Sequence, residues 1–396
     1  MERVEVAVVG AGMAGLSAAY HLRHLGRRLL VVEADRIGNR EGSSTGASRM
    51  YREMYSDPYL CAMSQAANAR WRALEARHDV SLRREHGLLF YGEAFDEETI
   101  EGSIPGAKRV MDAQGIPYEE LDAARIAARF PLRPRPTDVG LFEPTAGAVL
   151  SDRVLRLFAE EVRRGGARIR EGLHVDELDL GGGRPRLRTV DGTIEAEQVI
   201  LCGGPWTNAL LGPLGLDLEL EVWAMLFAHY EVADAGLQHP QWFCFRRPEP
   251  ATRDGGLYYG FPAMDRHPDG RRRIKVGIDW APEEMRAASW HALPREPANH
   301  AVKHLDRVVR EQLDGVGALL EVRTSPYTMA ADVNFVLDRL HPRLVCFTGG
   351  SGQAFKFCPL IGELLAKLAL REDPEMDIGP WGAERLRRSR AHAAAR

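Results

Sequence analysis

Residues Val4 to Val9 form an apolar, β-branched run, the pattern of a strand buried on both faces of a parallel sheet. Gly10-Ala-Gly-Met-Ala-Gly15 follows. Leu16, Ala19, Tyr20 and Leu22 then recur at helical spacing, with Gly26 as the expected stop. "RLLVVEAD" returns as a second strand ending in Glu33. The pattern predicts a compact βαβ unit. Between residues 142 and 206 it predicts a helix with Val154, Leu155, Phe158 and Val162 on one face, then the strands "ARIRE" and "EQVILCGGPW". Near the end, "RLVCFTGGSGQAFKFCPLIGELLAKLAL" reads as strand, glycine-rich loop and helix. "RIKVGID" alternates: Ile274, Val276 and Ile278 share an apolar face, while Lys275, Gly277 and Asp279 share the other.

The chain has 396 residues and is 45% hydrophobic, enough for a large core and too long for one typical domain. Its net charge of -4 points to neither nucleic acid nor an anionic membrane as partner. The one basic run, "RLRRSRAHAAAR" at the end, reads as a solvated tail. The five cysteines, Cys61, Cys202, Cys244, Cys346 and Cys358, have no metal-ligand spacing and suit a reducing compartment. No apolar run is long enough to span a bilayer, and the chain opens almost directly on a strand with no signal peptide. A cytoplasmic protein is expected.

Glycines at 10, 12 and 15 suit a tight turn, close approach of backbone to a pyrophosphate, and close helix–strand packing, with the phosphates on the helix N-terminus. Glu33 is placed to accept hydrogen bonds from a ribose. This unit implies dinucleotide binding and leaves FAD and NAD both open. Arg49 and Arg52 lie three apart in "ASRMYRE", ahead of a helix start at Asp57-Pro58. On residue type alone they could equally be surface cations paired with Glu53 or Asp57. Lys356 lies between two phenylalanines, an unusual place for a solvated lysine.

Nearly the whole chain resembles the sarcosine oxidase family of FAD-dependent amine oxidases, within the D-amino-acid-oxidase-like fold. The likeness rests on "GAGMAGLSAAYHLRHLG", "GSSTGASRMYRE", "FEPTAGAV", "CGGPWTNALL", "YYGFPA", "RIKVGID", "SPYTMAADVNFVLD" and "GGSGQAFKF". The resemblance implies FAD held by Gly10, Gly12, Met13, Ala14, Gly15, Glu33, Ser43, Ser48, Arg49, Val175, Gly350, Gly352, Phe355 and Lys356. It puts Arg52 and Lys356 on the substrate carboxylate, Lys275 at the step with oxygen, and Tyr259 and Tyr327 in the cavity wall. The chain departs from the family pattern at three points. Asp279 stands where well-known members carry histidine, and Gln353-Ala354 replace His-Gly. Ser325 takes the place of the cysteine that commonly bonds the flavin, so non-covalent FAD is expected. Trp206 and Trp223 read as packing.

The expected fold is two-domain α/β. A discontinuous Rossmann-like FAD-binding domain takes 1–85, 145–222 and 325–396. A substrate domain with a mixed β-sheet and flanking helices takes 86–144 and 223–324. The resemblance implies oxidation of a C–N bond in a secondary, N-methylated or cyclic amino acid, with molecular oxygen as acceptor and an imine and hydrogen peroxide as products. The alternatives are an FAD enzyme forming a double bond in a natural-product intermediate, an NAD-dependent dehydrogenase, and a non-catalytic nucleotide-binding protein.

Overall fold

The computed structural model describes residues 1–234, 236–248 and 255–386. The N-terminal apolar run is the strand Glu2–Val9, paired in parallel with Leu29–Val32 on one edge and Gly192–Leu201 on the other. The helix Met13–Leu22 connects the first two strands. It ends ahead of the expected stop at Gly26: the Arg23 backbone N–H returns to the Tyr20 carbonyl, which also accepts from the Arg23 guanidinium at 2.5 Å, and a 3-10 stretch, Arg23–Arg28, takes over. Arg168–Arg170 extends this sheet beyond Leu29–Val32, and Leu344–Thr348 pairs with Gly192–Leu201. Widely separated parts of the chain therefore build one sheet, as the buried runs imply. Helices Met13–Leu22, Ser151–Arg164 and Cys358–Leu370 share one core beside it. Helix Ser151–Arg164 buries Val154, Leu155, Phe158 and Val162, the predicted face.

A second sheet contains Leu88–Gly92, Trp242–Phe245, Leu257–Arg266, Arg272–Ile278, Glu221–Val232 and Val316–Met329. Its alternation separates two environments. Ile274, Val276 and Ile278 pack in one cluster with Ala301, Leu305, Val308 and Val309 of the helix Asn299–Gln312. Lys275 and Asp279 face the other way and line a cavity. The domain boundary expected at residue 325 falls inside the strand Val316–Met329, which pairs with Glu221–Val232 across that point. A small third sheet joins Arg49–Tyr51, Gly147–Val149 and Arg83–Glu85. It sits where Arg49 and Arg52 leave for the cavity. Arg385, in the basic terminal run, pairs with Asp332, and residues 387–396 of that run lie outside the described residues.

Candidate active site

Two adjoining cavities lie between the sheets. The smaller, about 370 Å³, is lined by Gly10, Gly12, Met13, Ala14, Glu33, Ser43, Val175, Cys202, Trp206, Gly350, Gly352 and Phe355. The larger, about 910 Å³, is lined by Ser48, Arg49, Arg52, Glu101, Tyr259, Lys275, Asp279, Ser325, Tyr327, Gln353 and Lys356. Thr45, Arg49, Tyr327, Gly352 and Phe355 line both, so a long ligand can run from one to the other.

Gly10 has φ +97°, and a Cβ there would lie 2.3 Å from the Cys202 carbonyl oxygen. Gly15 lines neither cavity; its missing Cβ would meet the Gly10 carbonyl at 1.9 Å, so its part is packing of helix against turn. The Glu33 carboxylate accepts from the Ala11 N–H at 2.7 Å and the Asp35 N–H at 3.1 Å. It therefore shapes the glycine turn as well as facing the cavity. Trp206, expected as packing, lines this cavity with its indole N–H on His291 at 3.1 Å. An elongated space with a glycine turn and a helix N-terminus at one end fits FAD. Arg49 closes the loop between the cavities by donating to the carbonyls of Ser43, Thr45 and Ser48 at 2.5–2.8 Å.

The larger cavity holds a buried cluster of opposite charges. Arg52 is 1% exposed; its Nε donates to the Met54 carbonyl at 2.8 Å and its Nη2 pairs with Glu101. Its ring neighbours are Tyr55, Phe90 and Phe243, and Nη1 has no hydrogen-bond partner among the described residues. Lys356 stands on the short 3-10 stretch Ala354–Phe357, pinned by the Trp71 indole N–H on its carbonyl at 2.7 Å. Burial and the nearby Arg52 push its ammonium down to about 7, with Glu101 and Asp279 acting the other way. Burial raises the Asp279 carboxyl well above its ordinary range, as do the charge of Glu101 and a hydrogen bond to it.

Tyr259 and Tyr327 share a hydrogen bond, and burial holds both phenols above the usual range. Glycine makes room for each ring: a Cβ on Gly277 would lie 2.5 Å from the Tyr259 ring, and one on Gly352 would lie 2.3 Å from Tyr327. Lys275 donates to the Ser48 carbonyl at 3.3 Å and lies 3.8 Å from the Phe261 ring centroid. Burial and Arg49 hold its ammonium well below the ordinary value. The structure thus gathers Arg52, Lys356, Tyr259, Tyr327, Lys275 and Asp279 around one cavity.

Glu101 was not foreseen. It lies in "TIEGS", before the Ser103 N-cap of the helix Ile104–Gln114, with no local periodicity to mark it. Gln353 ties this loop down by donating to the Ile100 carbonyl at 2.6 Å.

Comparison with known proteins identifies the family. Residues 5–368 match the family model described as FAD dependent oxidoreductase. The chain is 30% identical to a peroxisomal sarcosine oxidase of Mus musculus, covering 97% of each chain. It is 25% identical to an N-methyl-L-tryptophan oxidase of Yersinia pestis, covering 97% of this chain and 99% of that one. Among solved structures, the open form of NikD, an unusual amino acid oxidase essential for nikkomycin biosynthesis, superposes with a TM-score of 0.87 at 30% identity, over 96% of this chain and 98% of that one. These matches set aside the NAD-dependent and non-catalytic alternatives. The chain belongs to the family of FAD-dependent oxidoreductases, with sarcosine oxidases among its homologues.

Proposed function

We propose that this enzyme oxidises the C–N bond of a secondary, N-methylated or cyclic amino acid. The observation that carries the reading is the buried group of Arg52, Lys356, Glu101 and Asp279 in a cavity that adjoins the dinucleotide space. Arg52 offers a planar fork and Lys356 a point charge, a pair suited to one carboxylate. A substrate ammonium must lose a proton before its nitrogen lone pair can assist oxidation. Asp279, whose carboxyl burial makes more basic, is the group to take that proton, and Tyr259 and Tyr327 bound the space for the side chain. FAD, when bound, supplies the acceptor for the hydride equivalent and the route of its electrons to oxygen, which yields hydrogen peroxide. Lys275, which lines the same cavity and donates to the Ser48 carbonyl, is the residue assigned to the oxygen step. Screening N-methyl and cyclic amino acids for peroxide release tests the reading; no turnover of any carboxylate-bearing secondary amine would sink it.

The size of the cavity and the likeness to NikD favour one second reading, formation of a double bond in a larger natural-product intermediate. Borodeuteride treatment followed by mass spectrometry separates the two, because an imine takes up deuterium while an isolated carbon–carbon double bond does not. The FAD is proposed to be non-covalent, since Ser325 stands at the relevant strand position. A reducing, cytoplasmic setting is proposed on the five free cysteines, and among the described residues no helix is long and apolar enough to cross a membrane.

A further inference from the structure

Arg52 projects from a short turn, and that turn is held by a residue outside the cavity. Glu143 ends the strand Val139–Glu143 and is 1% exposed. Its Oε1 accepts from the Glu53 N–H at 2.9 Å, and its Oε2 accepts from the Met54 N–H at 3.0 Å and the Glu53 N–H at 3.1 Å. Thr145 is the remaining donor among the described residues, at 3.5 Å. Among the described residues no lysine or arginine forms an ion pair with this carboxylate. Met54 is the link: Glu143 holds its N–H, and its carbonyl accepts from Arg52 Nε at 2.8 Å.

A buried carboxylate without a counter-ion is costly, and packing alone would be served as well by an apolar side chain. Burial pushes this carboxyl up to about 7, while the two backbone N–H donors and Arg52 act against that rise. The backbone of Glu53 is tied a second way, its carbonyl accepting from the Cys61 thiol at 3.1 Å. What the carboxylate adds is a fixed direction for the turn that carries the guanidinium.

We propose that Glu143 is a positioning residue for the substrate carboxylate, acting through the 52–54 turn to aim Arg52 into the cavity. This rests on the assignment of Arg52 to that carboxylate. Glutamine at this position has one acceptor oxygen, and its NH2 group would face an N–H donor. Arg52 would then lose its fixed bearing while the surrounding strands stay paired.

The test uses the FAD-loaded enzyme and two probes, benzoate and its neutral counterpart benzamide, titrated by the change in flavin absorbance. Glu143→Gln is expected to weaken benzoate tenfold or more, to change benzamide less than threefold, and to keep its FAD. In an Arg52→Ala background the same substitution should change benzoate less than threefold. Unchanged benzoate affinity in Glu143→Gln would overturn the proposal. So would equal loss of both probes, or a full effect that persists without Arg52. Should Glu143→Gln fail to hold FAD, Glu143→Asp, too short to reach both N–H groups, carries the same comparison. Benzoate that does not bind the unmodified enzyme, or binds Arg52→Ala equally well, sinks the Arg52 assignment instead.

Discussion

Arg52 makes a hydrogen bond, an ion pair and three ring contacts within a buried site, yet keeps Nη1 without a hydrogen-bond partner among the described residues. A guanidinium with an unspent donor beside a buried lysine is a receptor for an anion. Arg52→Ala should therefore weaken binding of carboxylate substrates or inhibitors by about 2–5 kcal/mol, the range for losing one member of a buried charge pair. Methyl esters of good substrates should bind poorly to the unmodified enzyme, and equal affinity for acid and ester would contradict the assignment. Lys356 adds a pH signature. Its ammonium sits at about 7 in the free site, so the cation is present below that pH and lost above it. Carboxylate affinity should fall as pH rises through about 7, and Lys356→Met should abolish that fall. Lys275 belongs to a different step. A unit charge about 4 Å from a developing anion, at an effective dielectric near 20, contributes roughly 4 kcal/mol. Its ammonium is depressed by burial and Arg49, and an anion forming beside it would draw the proton back. Lys275→Met should slow reoxidation by about a hundred- to a thousandfold in stopped-flow, with a smaller effect on anaerobic flavin reduction.

The site is assembled by elements whose local rules were partly readable. Alternation in Arg272–Ile278 separates the core face from the cavity face, because neighbouring strand side chains point to opposite sides. The glycine turn is readable for a similar reason. At Gly10, φ +97° and a Cβ position 2.3 Å from the Cys202 carbonyl exclude every side chain. Gly10→Ala should yield protein that purifies without FAD, seen as a collapse of absorbance in the visible against that at 280 nm. Retention of full flavin content would mean that the turn adapts and that other contacts hold the nucleotide. Glu101 and Glu143 were not legible as site residues. Glu101 lies in a loop whose position depends on Gln353 and Ser56, far away in sequence. Glu143 sits at a strand end whose partner is the backbone of residues 53 and 54. Neither contact leaves a period or a spacing in the chain, since each is set by how separate segments meet.

At the scale of the whole molecule, residues from 10 to 356 meet around one continuous space, so FAD can be held by enclosure without a covalent bond. Ser325 lines the larger cavity, in the interior of the strand Val316–Met329 opposite Met225. Its hydroxyl has no base bonded to it among the described residues, and an unassisted hydroxyl is a poor nucleophile. The thiols offer no substitute. Cys358 lines neither cavity and donates to the Met13 carbonyl at 3.3 Å. Cys202 lines the dinucleotide space, but burial raises its thiol far above the range in which a reactive thiolate forms. Cys61, Cys244 and Cys346 line neither cavity. Denaturation by acid or heat should therefore release yellow flavin into the supernatant. The melting temperature should also depend on added FAD, because a ligand that binds only the folded state contributes about 2.7 kcal/mol at a hundred times its Kd. A covalent flavin would stay with the precipitate, fluoresce in a denaturing gel and make the melting temperature indifferent to free FAD. Should that be found, mapping the flavinylated peptide would distinguish Ser325 from Cys202 and show which segment closes on the ring.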